Sequence, residues 1–307
     1  CAAGSVYGLR SDGSLAAWGA NGSTECNVPA PPAGVVYVEV VGGVEEAFAL
    51  RSDGQVAAWG TNITGQCDVP ALPAGLSYVE VAANGETVVE GFDFVHGLAR
   101  RSDGSVVSWG FNDFGQGDVP ALPSGTTYVA LAAGANHSLA LRSDGVLLAF
   151  GLNDLGQCDV PALPPGRAWV ELAAGTYHSL GLLDDGTLMA WGANDSGQCD
   201  VPALPTGVTY VEAVARANHC LARRSDGLVI GWGSNQAGAW DVPALPVGVS
   251  YVQLATGAYG CAGLRSDGLV QGWGWNTDLL PPPLGLMYTG REQAVARVER
   301  GEVLRLD

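Results

Sequence analysis

Short runs of apolar and small residues with partial polar alternation fill the chain, and polar turns divide them into pairs. The stretch Ala173 to Gly192, AAGTYHSLGLLDDGTLMAWG, shows the pattern most clearly. HSLGL and TLMAW are β-formers and small apolar residues, and the Asp-Gly between them suits a tight turn needing positive φ, so the pair predicts a β-hairpin. A third strand of the YVEVAA type precedes the hairpin, at Tyr37 to Val41, Tyr78 to Ala83, Trp169 to Ala174, Tyr210 to Ala215 and Tyr251 to Ala255. Alternation predicts that its aromatic residue and its Glu share one face while its two Val or Leu share the other. Behind the hairpin comes Gly156 to Pro164, GQCDVPALP, whose two prolines lack amide donors, which predicts an outer edge or a loop.

The turn glycine recurs at Gly13, Gly54, Gly104, Gly145, Gly186, Gly227 and Gly268, 41 residues apart except for 50 between Gly54 and Gly104. A unit of three or four strands cannot bury both faces alone, so neighbouring units must stack, and an all-strand repeat of this length is best satisfied by blades around an axis. The expected fold is all-β, a single β-propeller of seven or eight blades with about 41 residues per blade, forming one domain over residues 1–307. The last segment, residues 288–307, reads as a degenerate eighth copy in which AVARVERGEVLRL mimics a hairpin, so the blade number stays open. The third copy carries extra residues between Ala83 and His96, including Phe92 and Phe94, which the pattern places in the turn between first and second strands. Such an insertion maps to a loop on one face, where function varies without disturbing the core.

Composition narrows the partners. At 47% hydrophobic the chain has ample material for a core, while 14 basic against 31 acidic residues give a net charge of −17, and there is no Lys. Such a surface repels phosphate backbones and anionic lipid, so the expected partner is a protein, with a basic surface, and neither nucleic acid nor a membrane span is expected. The chain opens on Cys1-Ala2-Ala3 without an initiator Met, which implies that something upstream has been removed. These residues read either as the lipid-modified start of a bacterial lipoprotein or as the start of an AAG strand, and the expected location is extracellular or the cell envelope. Cys26, Cys67, Cys158 and Cys199 share one repeat position and Cys220 and Cys261 another, too far apart on adjacent blades for disulfides, so mostly free thiols are expected.

Leu9 to Gly22, LRSDGSLAAWGANG, with HSLAL at His137 to Leu141 and NDSGQCDVPALPTGVTYVEA at Asn194 to Ala213, resembles the regulator of chromosome condensation repeat superfamily. Within it the combination of WG, N, GQ, VPA and AAG with HSLAL is most similar to the propeller-type β-lactamase inhibitory proteins. The resemblance implies seven blades and a partner-binding face formed by aromatic residues of the turn before the His, which Tyr177 and Tyr259 match. It also implies inhibition of a β-lactamase or similar enzyme as one form of the function. Chromosome-associated members bind chromatin and act on a small GTPase, but this acidic chain has no basic tail or wedge-like insertion to match.

Chemistry in the repeats is repeated, and active sites break symmetry, so no catalytic residues, cofactor or metal are expected. His96, His137, His178 and His219 occupy one position in four successive copies, which spreads them along an arc rather than around an ion and reads as a structural hydrogen bond to the neighbouring turn. His137 and Ser138, like His178 and Ser179, are adjacent strand residues facing opposite sides and cannot form a dyad with each other. Glu39, Glu80, Glu171 and Glu212 form another set, for which the Arg of each RSDG turn is the expected partner. The Asp of DVPA, from Asp68 to Asp241, lacks the remainder of a calcium loop.

Positions that vary between copies point to binding. Phe92, Phe94, Tyr177 and Tyr259 fall in or near the turn before the His, and a second set after WG comprises Ile63, Phe111, Phe114, Leu152, Leu155 and Trp275, with Trp240 farther along. Large apolar residues in turns that elsewhere hold Ala or Ser suit protein contacts. The expectation is a non-enzymatic propeller that binds a protein through its loop-bearing face, with a homo-oligomeric envelope or filament subunit as the alternative.

Overall fold

The computed structural model describes residues 5–274 apart from 11, 20, 44, 89–91, 237 and 258–259, and only the backbone of 85–88 and 92–94. The described residues form strands and turns without a helix, in seven antiparallel sheets. Blade 1 is the pair β1 (Ser5–Leu9) and β2 (Leu15–Gly19). Blade 2 comprises β3 (Tyr37–Gly42), β4 (Glu46–Arg51) and β5 (Val56–Gly60), and blade 3 comprises β6 (Tyr78–Val88), β7 (Phe92–Arg101) and β8 (Val106–Gly110). Blade 4 follows as β9 (Tyr128–Ala133), β10 (His137–Arg142) and β11 (Leu147–Gly151), and blade 5 as β12 (Trp169–Ala174), β13 (His178–Leu183) and β14 (Leu188–Gly192). Blade 6 holds β15 (Tyr210–Arg216), β16 (His219–Arg224) and β17 (Val229–Gly233), and blade 7 holds β18 (Tyr251–Thr256), β19 (Gly260–Arg265) and β20 (Val270–Gly274).

The first strand of each three-stranded blade lines a central channel, so β3, β6, β9, β12, β15 and β18 are innermost. Seven apolar clusters fill the seven gaps between neighbours. The ring closes where Ala16 and Trp18 of blade 1 pack with Leu264 and Val270 of blade 7. This is a seven-bladed propeller, which resolves the count left open by the sequence. The degenerate copy at 288–307 lies outside the described residues.

The repeated residues are the joints between blades. The hydroxyl of Tyr37 donates to the Pro29 carbonyl at 2.6 Å, and Tyr78, Tyr128, Tyr210 and Tyr251 repeat the bond to Pro70, Pro120, Pro202 and Pro243. The indole N–H of Trp191 donates to the Gln157 carbonyl in the preceding connection at 3.0 Å, and Trp59, Trp109, Trp232 and Trp273 do likewise. Both bonds satisfy buried polar groups that would otherwise be stranded in the core. At the Asp-Gly corner of blade 2, Gly54 has φ of 76°, and a Cβ there would lie 2.4 Å from the Cβ of Ser77. The DVPA segments are loops, as their prolines require.

Two local expectations are corrected. The aromatic residue and the Glu of the innermost strand do not share a face: Tyr37 pairs with Arg51 and Glu39 with Leu50, so a bulge at Val38 breaks the alternation and sends them to opposite sides. The same shift recurs at Tyr78/Glu80, Trp169/Glu171, Tyr210/Glu212 and Tyr251/Gln253. The insertion in the third copy is not a loose turn. It lengthens β6 and β7, whose pairing continues from Asn84↔His96 to Val88↔Phe92.

Candidate functional site

First and second strands of a blade join on one face of the disc, here called upper, and the third strand ends there too, since His137 pairs with Gly151. The lower face carries the Asp-Gly turns. The upper face therefore collects the turns before each His, the turns after each Trp-Gly, and the lengthened hairpin of blade 3.

The four histidines on this side form a buried belt rather than a catalytic group. Nε2 of His96 lies 2.8 Å from Ser138 Oγ in the next blade, and that hydroxyl donates to the Gln116 carbonyl at 2.7 Å, so the imidazole donates and the serine accepts. His137 with Ser179 repeats the link at 2.8 Å, and His178 with Cys220 and His219 with Cys261 replace the hydroxyl by a thiol at 3.1 and 3.6 Å. Burial holds His96 and His219 down at about 4 and His137 and His178 at about 3. The adjacent His-Ser pairs of the sequence thus belong to two different links, each across a blade boundary. A glycine makes room for two of the rings: a Cβ at Gly134 would lie 2.2 Å from His137 Cε1, and one at Gly175 would lie 2.1 Å from His178 Cε1.

The repeated glutamates cap the exposed inner edges of the blades. Glu80 Oε1 accepts from the Leu131 amide and Glu212 Oε1 from the Leu254 amide, each in the next blade at 2.9 Å. Their arginine partners are Arg100 at 2.7 Å and Arg223 at 2.9 Å, which precede the RSDG arginines. The bulge explains this, because it brings Glu80 opposite Arg100 and leaves Arg101 opposite Tyr78. Four RSDG arginines, Arg51, Arg142, Arg224 and Arg265, instead pair with the aspartate of their own turn, as Arg51 does with Asp53 at 2.7 Å. Glu39 faces Leu50 and has no arginine across the strand pair, so burial, with Glu80 adding, raises its carboxyl to about 8.

Three polar residues break the repeat at the upper mouth of the channel; Glu46 was visible in the sequence as a departure from the His of later copies, but none of the three was given a role. Arg216 of blade 6 occupies the position of Gly134 and Gly175 and reaches across the axis to blade 2. Its guanidinium donates to the Gly42 carbonyl at 2.8 Å and to the Gly43 carbonyl. Glu46, fully buried where other blades place His, supplies the opposing charge. Burial brings Arg216 down to about 10 against that attraction. Asn84 holds the equivalent glycine position in blade 3, and its amide donates to the Ala174 carbonyl of blade 5 at 3.1 Å. The signal was a polar residue where neighbouring copies have the Gly of AAG, for Arg216 and Asn84, and Glu in place of His for Glu46.

The predicted binding residues separate into groups. Phe92 and Phe94 lie on β7 in the lengthened hairpin, and their side chains are outside the description, as are Tyr259 and Trp275 altogether. Tyr177 is half-buried in the turn before His178, while Val95 at the equivalent position of blade 3 is in the core. Phe111 and Phe114 pack edge to face with centroids 5.7 Å apart, and Phe114 is 45% exposed. Ile63 in the turn after blade 2 is 66% exposed and Leu155 in the turn after blade 4 is 47% exposed, so large apolar groups mark three successive blades. The corresponding turn after blade 5 has Ala193 and Ser196.

Trp240 belongs elsewhere. It sits where other copies have Cys, lies over β17, and its indole N–H donates to the Gly233 carbonyl at 3.3 Å. A Cβ added to Gly231 beneath it would lie 1.9 Å from the Trp240 Cβ, so the large side chain requires the small one. Gly231→Ala is expected to destabilise the protein by about 2 kcal/mol, and Gly231→Ala with Trp240→Cys to recover most of it in a denaturant midpoint. Additive losses would show that the two positions are not coupled.

Charge is divided between the faces. Nine of the ten described arginines lie in or beside the lower turns, and the tenth is the buried Arg216. The upper turns and the segments that follow them carry exposed Asp113, Asp154 and Asp195, together with Asp68, Asp118, Asp159, Asp200 and Asp241. The second set is used structurally: Asn62 Nδ2 donates to Asp68 Oδ1 at 2.9 Å, and Asn112, Asn153, Asn194 and Asn235 repeat the clasp. Among the described residues no group of three His, Cys, Asp or Glu side chains is placed to hold a metal, the six described cysteines are free, and no helix is long and apolar enough to cross a membrane.

Residues 128–157 and 169–198 match the family model for the regulator of chromosome condensation (RCC1) repeat. No curated protein matches the chain in sequence. Among solved structures, the ectodomain of the Physcomitrella patens receptor kinase CR4 is similar with a TM-score of 0.67 and 22% identity, over 89% of this chain and 71% of that one. The CRINKLY WD40 ectodomain of the Arabidopsis thaliana receptor kinase ACR4 gives 0.64 and 23%, over 93% and 94%. Prp20p from Saccharomyces cerevisiae, whose structure was described with its binding to Gsp1p and histones, gives 0.67 and 20%, over 84% and 80%. At these identities the likeness is one of fold, an RCC1-type propeller.

Proposed function

We propose that the protein is a non-enzymatic interaction propeller whose upper face binds another protein. The observation that carries this is asymmetry. The seven blades share one framework, yet large exposed apolar side chains stand in the upper turns of blades 2 to 4, beside the lengthened hairpin of blade 3. The lower turns also expose Val146, Leu228 and Leu269, but the upper set stands in three consecutive blades and includes the Phe111–Phe114 pair, and such a cluster favours a contact. The histidines, serines and glutamates that chemistry would draw on are instead occupied in joints between blades. Solved propellers of the same fold include one described as binding protein partners, which supports a protein as the ligand class. Capping of a β-lactamase or similar enzyme is a finer form of this reading, resting on the half-buried Tyr177 in the turn before His178.

Cross-linking in the native source tests the face. Wild type, an upper-face variant (Phe114→Ser with Tyr177→Ala) and a lower-face variant (Leu228→Ser with Leu269→Ser) are compared for the proteins recovered. The upper-face variant is expected to lose partners that the lower-face variant keeps. The reverse result would place binding on the opposite face and refute the assignment.

A further inference from the structure

We infer that the occupant of the upper rim of blades 2 to 4 is a basic amphipathic segment of a partner protein, an inference that rests on upper-face binding and specifies its chemistry. Ile63, Phe114 and Leu155 stand at equivalent turns of three consecutive blades, with Phe111 supporting Phe114 through its edge-to-face contact. They form one interrupted apolar row. Asp113 and Asp154 occupy the position of Ile63 in their own turns, each directly preceding the apolar side chain of that turn, and both are exposed. Neither forms an ion pair with a described residue.

The charge of the whole face decides the sign of the partner. Among the described residues arginine is confined to the lower turns and the buried axial position, so no exposed described base on the upper side neutralises these acids. A second copy of this chain, at net charge −17, is disfavoured by like-charge repulsion, and an acidic or neutral apolar segment would leave the aspartates uncompensated. A segment with large apolar side chains separated by Lys or Arg satisfies both features: its apolar groups cover the row and its cations meet Asp113 and Asp154. The apolar contacts supply retention and the charges supply selection and rate of encounter.

The test uses the full chain and three labelled synthetic peptides, followed by fluorescence anisotropy: an amphipathic Leu/Lys peptide, its Leu/Glu isomer and a Ser/Lys peptide of equal charge. The Leu/Lys peptide is expected to bind, the Leu/Glu isomer not to bind, and the Ser/Lys peptide to bind at least about tenfold more weakly. Phe114→Ser with Leu155→Ser is expected to weaken the Leu/Lys peptide by about tenfold, and Asp113→Asn with Asp154→Asn to weaken it and flatten its salt dependence. Leu228→Ser with Leu269→Ser on the lower face leaves binding unchanged. Equal binding of the Ser/Lys peptide, or unaltered affinity in the Phe114/Leu155 variant with an unchanged melting midpoint, would overturn the inference. If peptide binding fails while cross-linked partners still depend on the upper face, the partner chemistry is wrong and the face assignment stands; if neither depends on that face, both fail.

Discussion

Acidification from pH 7 to pH 4.5 is expected to unfold the protein, with the melting midpoint falling steeply below pH 6. The cause is the histidine belt. His96, His137, His178 and His219 are held neutral by burial, with folded values of about 4, 3, 3 and 4, well below the ordinary 6.5. Unfolding releases them to titrate normally, so below pH 6.5 the unfolded chain binds protons that the folded chain refuses. The stability from these groups is fully present above 6.5 and is lost as pH falls toward the folded values. Each contributes roughly 1.4 kcal/mol per pH unit in that window, so four together consume about 5 kcal/mol per unit, comparable with the total stability of an ordinary domain.

Glu39 works in the opposite direction. Its carboxyl is raised to about 8, so the folded protein keeps a proton there that the unfolded chain has already released above about pH 4.5. Stability from Glu39 is present below that value and is lost as pH rises toward 8. Calorimetry of unfolding at about pH 5 in buffers of different ionisation enthalpy should therefore show net uptake of about three protons, four from the histidines less one from Glu39. Glu39→Gln should raise stability at pH 8 by up to about 4 kcal/mol and leave the acid limb in place. A melting midpoint independent of pH between 7 and 5, or net proton release on unfolding in that range, would contradict buried neutral histidines.

What the sequence revealed and what it withheld follow from how the fold uses repetition. Period-two alternation, the Asp-Gly corners and the paired prolines each act within one copy, and the hairpins, the third strand and the connecting loops stand where those local signals put them. The repeat spacing carried the propeller, and the register of copies carried the prediction that histidines are structural. Closure at seven was not legible, because the terminal copy at 288–307 looks like a hairpin regardless of how the ring meets. The bulge at Val38 and its equivalents was hidden as well, since a one-residue shift is chosen by how the inner strand meets its neighbours and leaves no mark on alternation. That single shift exchanged the expected arginine partners of the glutamates.

The candidate surface was legible in part. Phe111, Phe114 and the other apolar residues after Trp-Gly were visible as departures from Ala or Ser, and the structure places Ile63, Phe114 and Leu155 on one exposed rim. Trp240 was visible by the same criterion; it packs over Gly231 of its own blade and is 37% exposed. A departure at one position carries no information on whether a neighbouring position compensates. The axial residues were missed for a related reason: Arg216, Glu46 and Asn84 each depart from the repeat in different copies, and only the ring brings them near the axis.

Arg216→Gly restores the residue that blades 4 and 5 carry, and is nevertheless expected to destabilise the protein by about 3 kcal/mol, lowering the melting midpoint by about 5 °C. Reasoning from the repeat average gives the opposite sign, since a consensus residue usually stabilises. The structure reverses it because Arg216 is not an isolated deviation. Its guanidinium satisfies the Gly42 and Gly43 carbonyls across the channel and balances Glu46, which is fully buried. Removing the cation leaves the Gly42 and Gly43 carbonyls without that donor and the buried Glu46 without the opposing charge. Arg216→Lys keeps the charge but not the fork, and should fall between wild type and glycine. Glu46→His returns blade 2 to the pattern of its neighbours, and Gly43 leaves the ring space that Gly134 leaves His137. Arg216→Gly should therefore cost at least about 1 kcal/mol less in the Glu46→His background than in wild type, a coupling measurable by a double-mutant cycle in denaturant. A neutral or stabilising Arg216→Gly in wild type would mean that the cross-axis contact is incidental and that each blade stands on its own repeat.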